Sequence, residues 1–499
     1  MGAKKVATSS FLVAAFVCIG VWSHPAYSQT PAQGNKTVID SSGGPTPSTI
    51  WIDASAWWDQ STTTTPDLCY ILNTIIALQI SGGSTVGVVI DARGLYNSFL
   101  TNAAVACTGT PFPTSASSFA MTILLPAASI PMLSTWTLPN NTRLVGEGQN
   151  TNLVAESGFT GTGYMIEMGG SGVCPAVSSA SVCTSVGIEH LLLSDSHQTG
   201  VGGIDNQFST NSSYVNDVNL NSFNNIGLNI TAPDSGPYSN VAFSSAPAGS
   251  SNGPGPTCIN IGAQTLGFHG VTCTGNSATG TSGATGGVGA IYVNASNNTI
   301  EDVHIEAFWN GVEIGNISSG TVANVLVSNV TGSKSGSGCG SGTQCQVTNV
   351  VHICGTNPAN SADVCSSSTS STTNQDVTLL NILGLSGATN VIASVRDDAT
   401  ATAIVRCAAC EQPLSTAIYA LGEPYAGGYP RFATNPSSPG TNYDTTSTFV
   451  PTWSEGSSSL VGDSCITPGA IYSNTSGSSM TSVFVCTYNG TTFLWKAIA

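Results

Sequence analysis

Six short stretches of the chain share one pattern, a polar or small residue followed by alternating apolar and polar positions. They are "EHLLLSD" (189–195), "NDVNLNSF" (216–223), "SNVAFSS" (239–245), "HGVTCTG" (269–275), "EDVHIEAF" (301–308) and "ANVLVSN" (323–329). Aligned on His190, Asp217, Asn240, Gly270, Asp302 and Asn324, they recur at spacings of 27, 23, 30, 32 and 22 residues. A loose repeat of that length with one strand per repeat is a solenoid signature. Alternate residues of a strand share a face. Leu191, Val218, Val241, Val271, Val303 and Val325 therefore form one inward column, and Leu193, Leu220, Phe243, Cys273, Ile305 and Val327 a second. A turn and a second short strand follow, as in "NNIGLNI" (224–230) and "WNGVEI" (309–314), where Asn and Gly suit left-handed corners. The fixed Leu-x-x-Leu-x-Leu of leucine-rich repeats is missing, and an immunoglobulin-like sandwich would not keep these columns in phase. The pattern predicts an all-β chain whose residues 51–434 form a right-handed parallel β-helix, with loops of unequal length leaving its corners.

One segment ahead of the coils has a helical period. In "TPDLCYILNTIIALQISGG", Leu68, Ile71, Leu72, Ile75 and Ile76 fall on one face. Thr65 suits the cap, Pro66 the first turn, and Gly82 with Gly83 the end. A lone amphipathic helix before a long β region is expected to cover one apolar end. "WIDASAWW" (51–58) reads as the first strand. Beyond the coils, residues 435–462 have the Ser, Thr, Pro and Gly of a linker, and residues 463–499 the short apolar runs of a small C-terminal β module. Residues 29–50 read as a flexible leader. Lys4 and Lys5, the apolar run from Phe11 to Trp22, and "AYS" before Gln29 read as a signal peptide over residues 1–28. The run is too short to span a bilayer comfortably. The expectation is a secreted protein, extracellular or held in the periplasm or at the outer surface.

Composition narrows the partners. Only 7% of the residues are charged, the net charge is −16, and no Lys/Arg cluster occurs after residue 5. Nucleic acid needs clustered cations, so it is excluded as a partner. Fifteen cysteines less Cys18 of the signal leave fourteen. They fall in neighbouring couples: Cys69 and Cys107, Cys174 and Cys183, Cys258 and Cys273, Cys339 and Cys345, Cys354 and Cys365, Cys407 and Cys410, Cys465 and Cys486. Sequential local disulfides suit an oxidising compartment, although sequence leaves the connectivity open. Zinc on Cys339, Cys345, Cys354, Cys365 and His352 is the rival, at spacings of no familiar zinc knuckle. "CAAC" (407–410) lacks the βαβ setting of a redox pair.

A family resemblance lies in the entry segment. "DLCYILNTIIALQISGGSTVGVVIDARG" and "TILLPAASIPMLSTWTLPNNTRLVGEGQNTNLVA" resemble the first coils of the pectate-lyase superfamily of single-stranded β-helix proteins, which includes pectate lyases, polygalacturonases and phage tailspikes. The likeness covers roughly Trp51 to Glu156 and continues as a generic coil pattern to about Val395. It implies the fold, a carbohydrate ligand, and calcium if the chemistry is that of a lyase. The tail after residue 462 is similar to short C-terminal modules of bacterial secreted β-helix proteins. The catalytic motifs do not carry over. The polygalacturonase order of Asn-Thr-Asp, Asp-Asp, His-Gly and Arg-x-Lys is absent, with His269–Gly270 preceding Asp397–Asp398.

Candidate chemistry centres on "EDVHIEAFW". If Val303 and Ile305 face inward, Asp302, His304 and Glu306 face outward, about 6.6 Å apart. Glu306 with Asp302 or Glu313 would supply the two carboxyls of glycoside hydrolysis. Trp309 would stack on a sugar, and Asp195, Asn219 and Asn221 would line one groove with them. In a β-elimination, calcium held by acids such as Asp397 and Asp398 would acidify a proton. Three readings stay open: an exported polysaccharide lyase or glycoside hydrolase, a non-catalytic adhesive surface protein, and a structural protein that trimerises like a tailspike.

Overall fold

The computed structural model describes residues 49–410 except 58–67, 84–85, 96–106, 108, 113–118, 162, 178–179, 197, 199, 246–256, 276–288, 307, 309, 316–321, 334–348, 354–375, 385–392 and 398–403, together with five later strands. Two parallel sheets carry the architecture. The first runs through Thr49–Asp53, Gly87–Asp91, Met121–Leu124, Thr142–Val145, Gly187–Ser194, Tyr214–Phe223, Tyr238–Ser245, Gly267–Thr274, Thr299–Glu306, Val325–Ser333, Asp376–Gly384 and Ile404–Cys410. Ser129–Met132 and Asn152–Ala155 extend it beside Gly187–Ser194. The second runs through Trp136–Leu138, Tyr164–Met168, Gly202–Asn206, Leu228–Ile230, Ile259–Ile261, Gly289–Val293, Asn310–Ile314, Asn349–Ile353 and Ala393–Asp397. From Tyr164 onward the chain visits the two sheets alternately, one strand in each per coil. Parallel neighbours joined this way close a right-handed crossover, and the product is a right-handed parallel β-helix.

The core lies between the sheets. Ile188, Leu191 and Leu193 of one coil, and Ile300, Val303 and Ile305 of another, are all buried. Their spacing is not a simple alternation, because one residue is skipped in mid-strand. That residue has left-handed backbone: His190 (φ 52°), Asp217 (54°), Asn240 (53°), Gly270 (68°), Asp302 (56°), Asn329 (54°) and Asn381 (55°). The pairings on either side, such as Leu191 with Val218 and Val303 with Val330, set these seven in one column. Each creases its strand and resets which residues face in. Asn, Asp, His and Gly occupy the crease because their side chains tolerate positive φ best. Outside it they form a ladder: Asn329 Nδ2 donates to Asp302 Oδ1 at 2.9 Å, and Asn381 Nδ2 to Asn329 Oδ1 at 2.9 Å.

The first five expected anchors sit in this column, but Asn324 does not. Val303 pairs with Val330, and Val327 stacks on Ile300. Both Asn324 and Asn329 are left-handed, at φ 56° and 54°, and a valine follows each. The sequence of that coil therefore fits two registers, and the one chosen by packing lies five residues on.

The helix spans Leu68–Ser81, and all five residues of its expected stripe are buried among Ile52, Val88 and Ile90. Burying such side chains contributes roughly 1.5–3 kcal/mol each. Gly82 N donates to Leu78 O at 2.9 Å, and Gly83, at φ 67°, to Ile80 O at 3.0 Å, which ends the helix. Thr65 and Pro66 lie outside the described residues. The first strand is shorter than expected. It stops at Asp53, whose Oδ1 accepts from Ser55 N at 2.9 Å and turns the chain into a 3-10 segment, Ala54–Trp57.

Three of the expected disulfides are present: Cys69–Cys107, Cys174–Cys183 and Cys258–Cys273. The side chains of the other eight paired-off cysteines, like the signal segment, lie outside the described residues. A separate five-stranded sheet follows the order Phe432–Ala433, Trp453–Gly456, Ile471–Asn474, Ser482–Tyr488 and Phe493–Ala497. It takes strands from before residue 463 and from the segment expected as a linker. No helix among the described residues is long and apolar enough to cross a membrane.

Candidate functional site

Each strand of the second sheet places apolar residues inward, such as Ile166, Ile204, Ile291, Val312 and Val351. The residues between them face away from the core and align coil by coil. In register they are Thr137, Glu167, Asp205, Asn229, Asn260, Tyr292, Glu313 and His352. An apolar strand would waste such a face, so eight polar positions in a row mark it as built. Asp205, Asn229, Glu313 and His352 are buried, while Glu167, Asn260 and Tyr292 are half-buried.

Hydrogen bonds run along this column. Thr137 Oγ1 donates to Glu167 Oε2 at 3.0 Å, Asn229 Nδ2 to Asp205 Oδ1 at 2.7 Å, and Asn260 Nδ2 to Asn229 Oδ1 at 2.7 Å. Gln207 Nε2 donates to Asp205 Oδ2 at 2.7 Å. Burial pushes the Asp205 carboxyl up, the amides of Asn229 and Gln207 pull it back, and the Glu167 charge pushes it up again, leaving it above the usual range. Tyr164 packs on Gly202, three residues before Asp205, and its phenol is pushed up by burial and by the Asp205 charge. Farther along, Asn310 Nδ2 lies 3.2 Å from His352 Nδ1 and 3.4 Å from Glu313 Oε2, and Asn349 Nδ2 donates to Asn310 Oδ1 at 2.7 Å.

Sequence reasoning placed the chemistry on the other sheet. Asn219, Ala242, Thr272, His304 and Thr331 form one outward column there, and Asn221, Ser244, Thr274, Glu306 and Ser333 the next. His304 Nε2 is 3.1 Å from Glu306 Oε1, and the two side chains are 37% and 28% exposed. Asp302 sits at the crease and pairs with His269 Nδ1 at 3.1 Å rather than with His304. Two expectations fail on placement. Asp195 is buried, with Oδ2 accepting from Asn224 N at 3.1 Å, so it holds a corner instead of lining a groove. Glu313 is buried in the second sheet and shares no face with Glu306. Trp309 and Asp398 lie outside the described residues, as does the side chain of Asp397. Glu167 and Asp205 were missed because "YMIEM" and "GGIDN" each hold one acid in an apolar run, and only the pairing of coils 38 residues apart unites them.

A third group sits on the first sheet before the crease. Glu189 accepts from both Nε and Nη2 of Arg143 and from the Tyr214 hydroxyl. Burial pushes its carboxyl up, but the bonds from Arg143 and Tyr214 outweigh that and hold it below the usual range. Among the described residues, no three His, Cys, Asp or Glu side chains converge as metal ligands.

No family model matches the chain, and no curated protein matches it. Among solved structures it is similar to a double mutant of the tailspike protein of E. coli bacteriophage HK620, with 14% identity and a TM-score of 0.40, over 71% of this chain and 62% of that one. Another mutant of the same tailspike gives 13% identity and a TM-score of 0.39, over 86% and 68%. The chain thus spans less than two thirds of the length of the first. At these scores neither fold nor chemistry rests on the likeness.

Proposed function

We propose that this protein is exported, binds a polysaccharide along the outer column of the second sheet, and hydrolyses it with Glu167 and Asp205. The in-register Glu167–Asp205 couple carries the reading. Glycosidic cleavage wants one carboxylic acid to protonate the leaving oxygen and one carboxylate at the anomeric carbon. Asp205, whose pKa is raised, suits the first role, and half-buried Glu167 the second. Another carboxylate couple, Asp53 beside Asp91, lacks this division, because the Arg93 guanidinium holds Asp91 ionised. Adjacent parallel strands lie about 4.8 Å apart. Acids on adjacent strands suit the roughly 5–5.5 Å carboxyl separation of a double-displacement pair better than the roughly 6.5–9.5 Å that admits a water between them.

In this mechanism Glu167 attacks the anomeric carbon while Asp205 gives its proton to the departing sugar oxygen. Asp205 then takes a proton from the water that displaces Glu167. Tyr164 and Tyr292 offer ring faces for stacking, and the amides of Gln207 and Asn260 offer donors to sugar hydroxyls. The rival chemistry, a calcium-dependent lyase using Asp397 and Asp398, gives a different product.

The test is a panel of polysaccharides, with and without calcium, followed by reducing ends and by ultraviolet absorbance of unsaturated products. Hydrolysis yields reducing ends without absorbance and retains the anomeric configuration. Glu167→Gln and Asp205→Asn each lower it by about 10³-fold or more while leaving glycan retention intact. Calcium-dependent absorbance would move the chemistry to elimination. Retention on an immobilised glycan without cleavage would make the column a binding face of an adhesive protein.

A further inference from the structure

The polar columns of the first sheet contain an arrangement that glycan hydrolysis on the second sheet does not use. His304 Nδ1 is 2.9 Å from Thr331 Oγ1, in the next coil, and His304 Nε2 is 3.1 Å from Glu306 Oε1, two residues along its own strand. One tautomer satisfies both contacts: Nε2–H donates to the carboxylate, and Nδ1 accepts from the threonine hydroxyl. Thr331 has a second acceptor, Val303 O, but at 3.4 Å. Ser333 Oγ lies 3.3 Å from both Glu306 Oε1 and His304 Nε2, donating to the carboxylate beside the imidazole. All four side chains are half-buried on an outward face, open to a small ligand. A hydroxyl bonded to an imidazole that is itself oriented by a carboxylate is the general layout of an activated oxygen nucleophile. It is recognised by geometry, whichever ring nitrogen faces the nucleophile.

We infer that Thr331, His304 and Glu306 form an esterolytic site, separate from the carboxylate pair on the other sheet, for short-chain acyl esters of polar alcohols. The polar alcohol follows from the surroundings. Asn221, Ser244 and Thr274 continue the Glu306 column, and Thr272, Ala242 and Asn219 continue the His304 column on one side, with Leu383 beside Thr331 on the other, so the face is mainly polar and carries no cation. Thr331 Oγ1 adds to the ester carbonyl carbon as its proton passes to His304 Nδ1. The bond to the alcohol oxygen breaks, and the alcohol departs with that proton. Water then adds to the acyl-threonine, its proton going to His304, and the acid leaves as Thr331 recovers its hydroxyl. Glu306 keeps the imidazole in the required tautomer and stabilises its protonated form.

The test uses the full chain with p-nitrophenyl acetate and p-nitrophenyl butyrate, and a fluorophosphonate followed by peptide mapping. Hydrolysis above the buffer rate is expected, with the adduct on Thr331. Thr331→Ala and His304→Gln each lower the rate by about 100-fold or more, whereas Thr331→Ser stays within about tenfold. An unaltered rate in Thr331→Ala, an adduct on another residue, or neither hydrolysis nor adduct in the wild type would overturn the proposal. Because Glu167 and Asp205 take no part, loss of glycan cleavage in their variants leaves this outcome independent.

Discussion

Single residues decide the shape of each coil. Asn240 holds left-handed backbone at φ 53° between Asp217 and Gly270 of the neighbouring coils. A β-branched side chain there meets its own backbone, at a cost of about 1–2 kcal/mol. Asn240→Val is expected to lower the urea midpoint accordingly, and Asn240→Gly to leave it nearly unchanged. Glu189 makes a second prediction at this scale. Its folded pKa lies below the ordinary value of 4.5, so its pairing with Arg143 stabilises the fold fully above that value. The contribution is lost as pH falls through the lower, folded value. Urea midpoints between pH 7 and pH 3 should fall less steeply in Glu189→Gln than in the wild type. The anchor residues were legible because Asp, Asn, His and Gly recur before each apolar run. The consequence of their φ was not, since a crease and a plain alternation give the same apolar spacing after the anchor.

At the scale of elements, neighbouring coils approach so closely that some positions have no room for a side chain. A Cβ on Gly203 would collide with Gly227 O, and one on Gly311 with Val350 O. Backbone cannot yield as a side chain does, so Gly203→Ala and Gly311→Ala are expected to cost several times a usual surface change and to lower Tm in a thermal melt. The helix is held differently. Its stripe fills the first coils, and Cys69–Cys107 closes a stretch of 38 residues, which a chain-entropy estimate makes worth about 4 kcal/mol. Reduction, or Cys107→Ala, should lower Tm markedly, whereas opening the 9-residue Cys174–Cys183 loop should do less. The helix and the long first-sheet strands from Gly187 to Glu306 could be read from periodicity alone. The register at Val325–Ser333 could not, because Asn-Val occurs twice, five residues apart, and the longer apolar run follows the first while packing selects the second.

For the whole molecule, the candidate sites are properties of stacking. Glu167 and Asp205 stand 38 residues apart in the chain, and His304 and Thr331 stand 27 apart, yet each couple is a nearest neighbour across one step between coils. Sequence reasoning found His304 and Glu306 because they share one strand. It missed Glu167 and Asp205, whose strands were never aligned. It also misplaced Asp195 and Glu313, because alternation says which way a residue leaves its strand and nothing about what then covers it. Solenoid stability is a sum over neighbouring coils, so damage to one coil reaches the chemistry only of its own couple. Glu167→Gln should leave ester hydrolysis intact, and His304→Gln should leave glycan cleavage intact, when both rates are measured on the same preparations.

The crease also governs how such a chain can change length over evolutionary time. An insertion of one residue inside Thr299–Glu306 would turn Val303 and Ile305 to solvent, since each added residue reverses the faces beyond it. The same insertion in a corner between sheets only lengthens a loop. Lineages descended from this chain should therefore differ in loop length and in whole coils gained or lost, while the interval from each left-handed residue to the apolar pair after it stays constant.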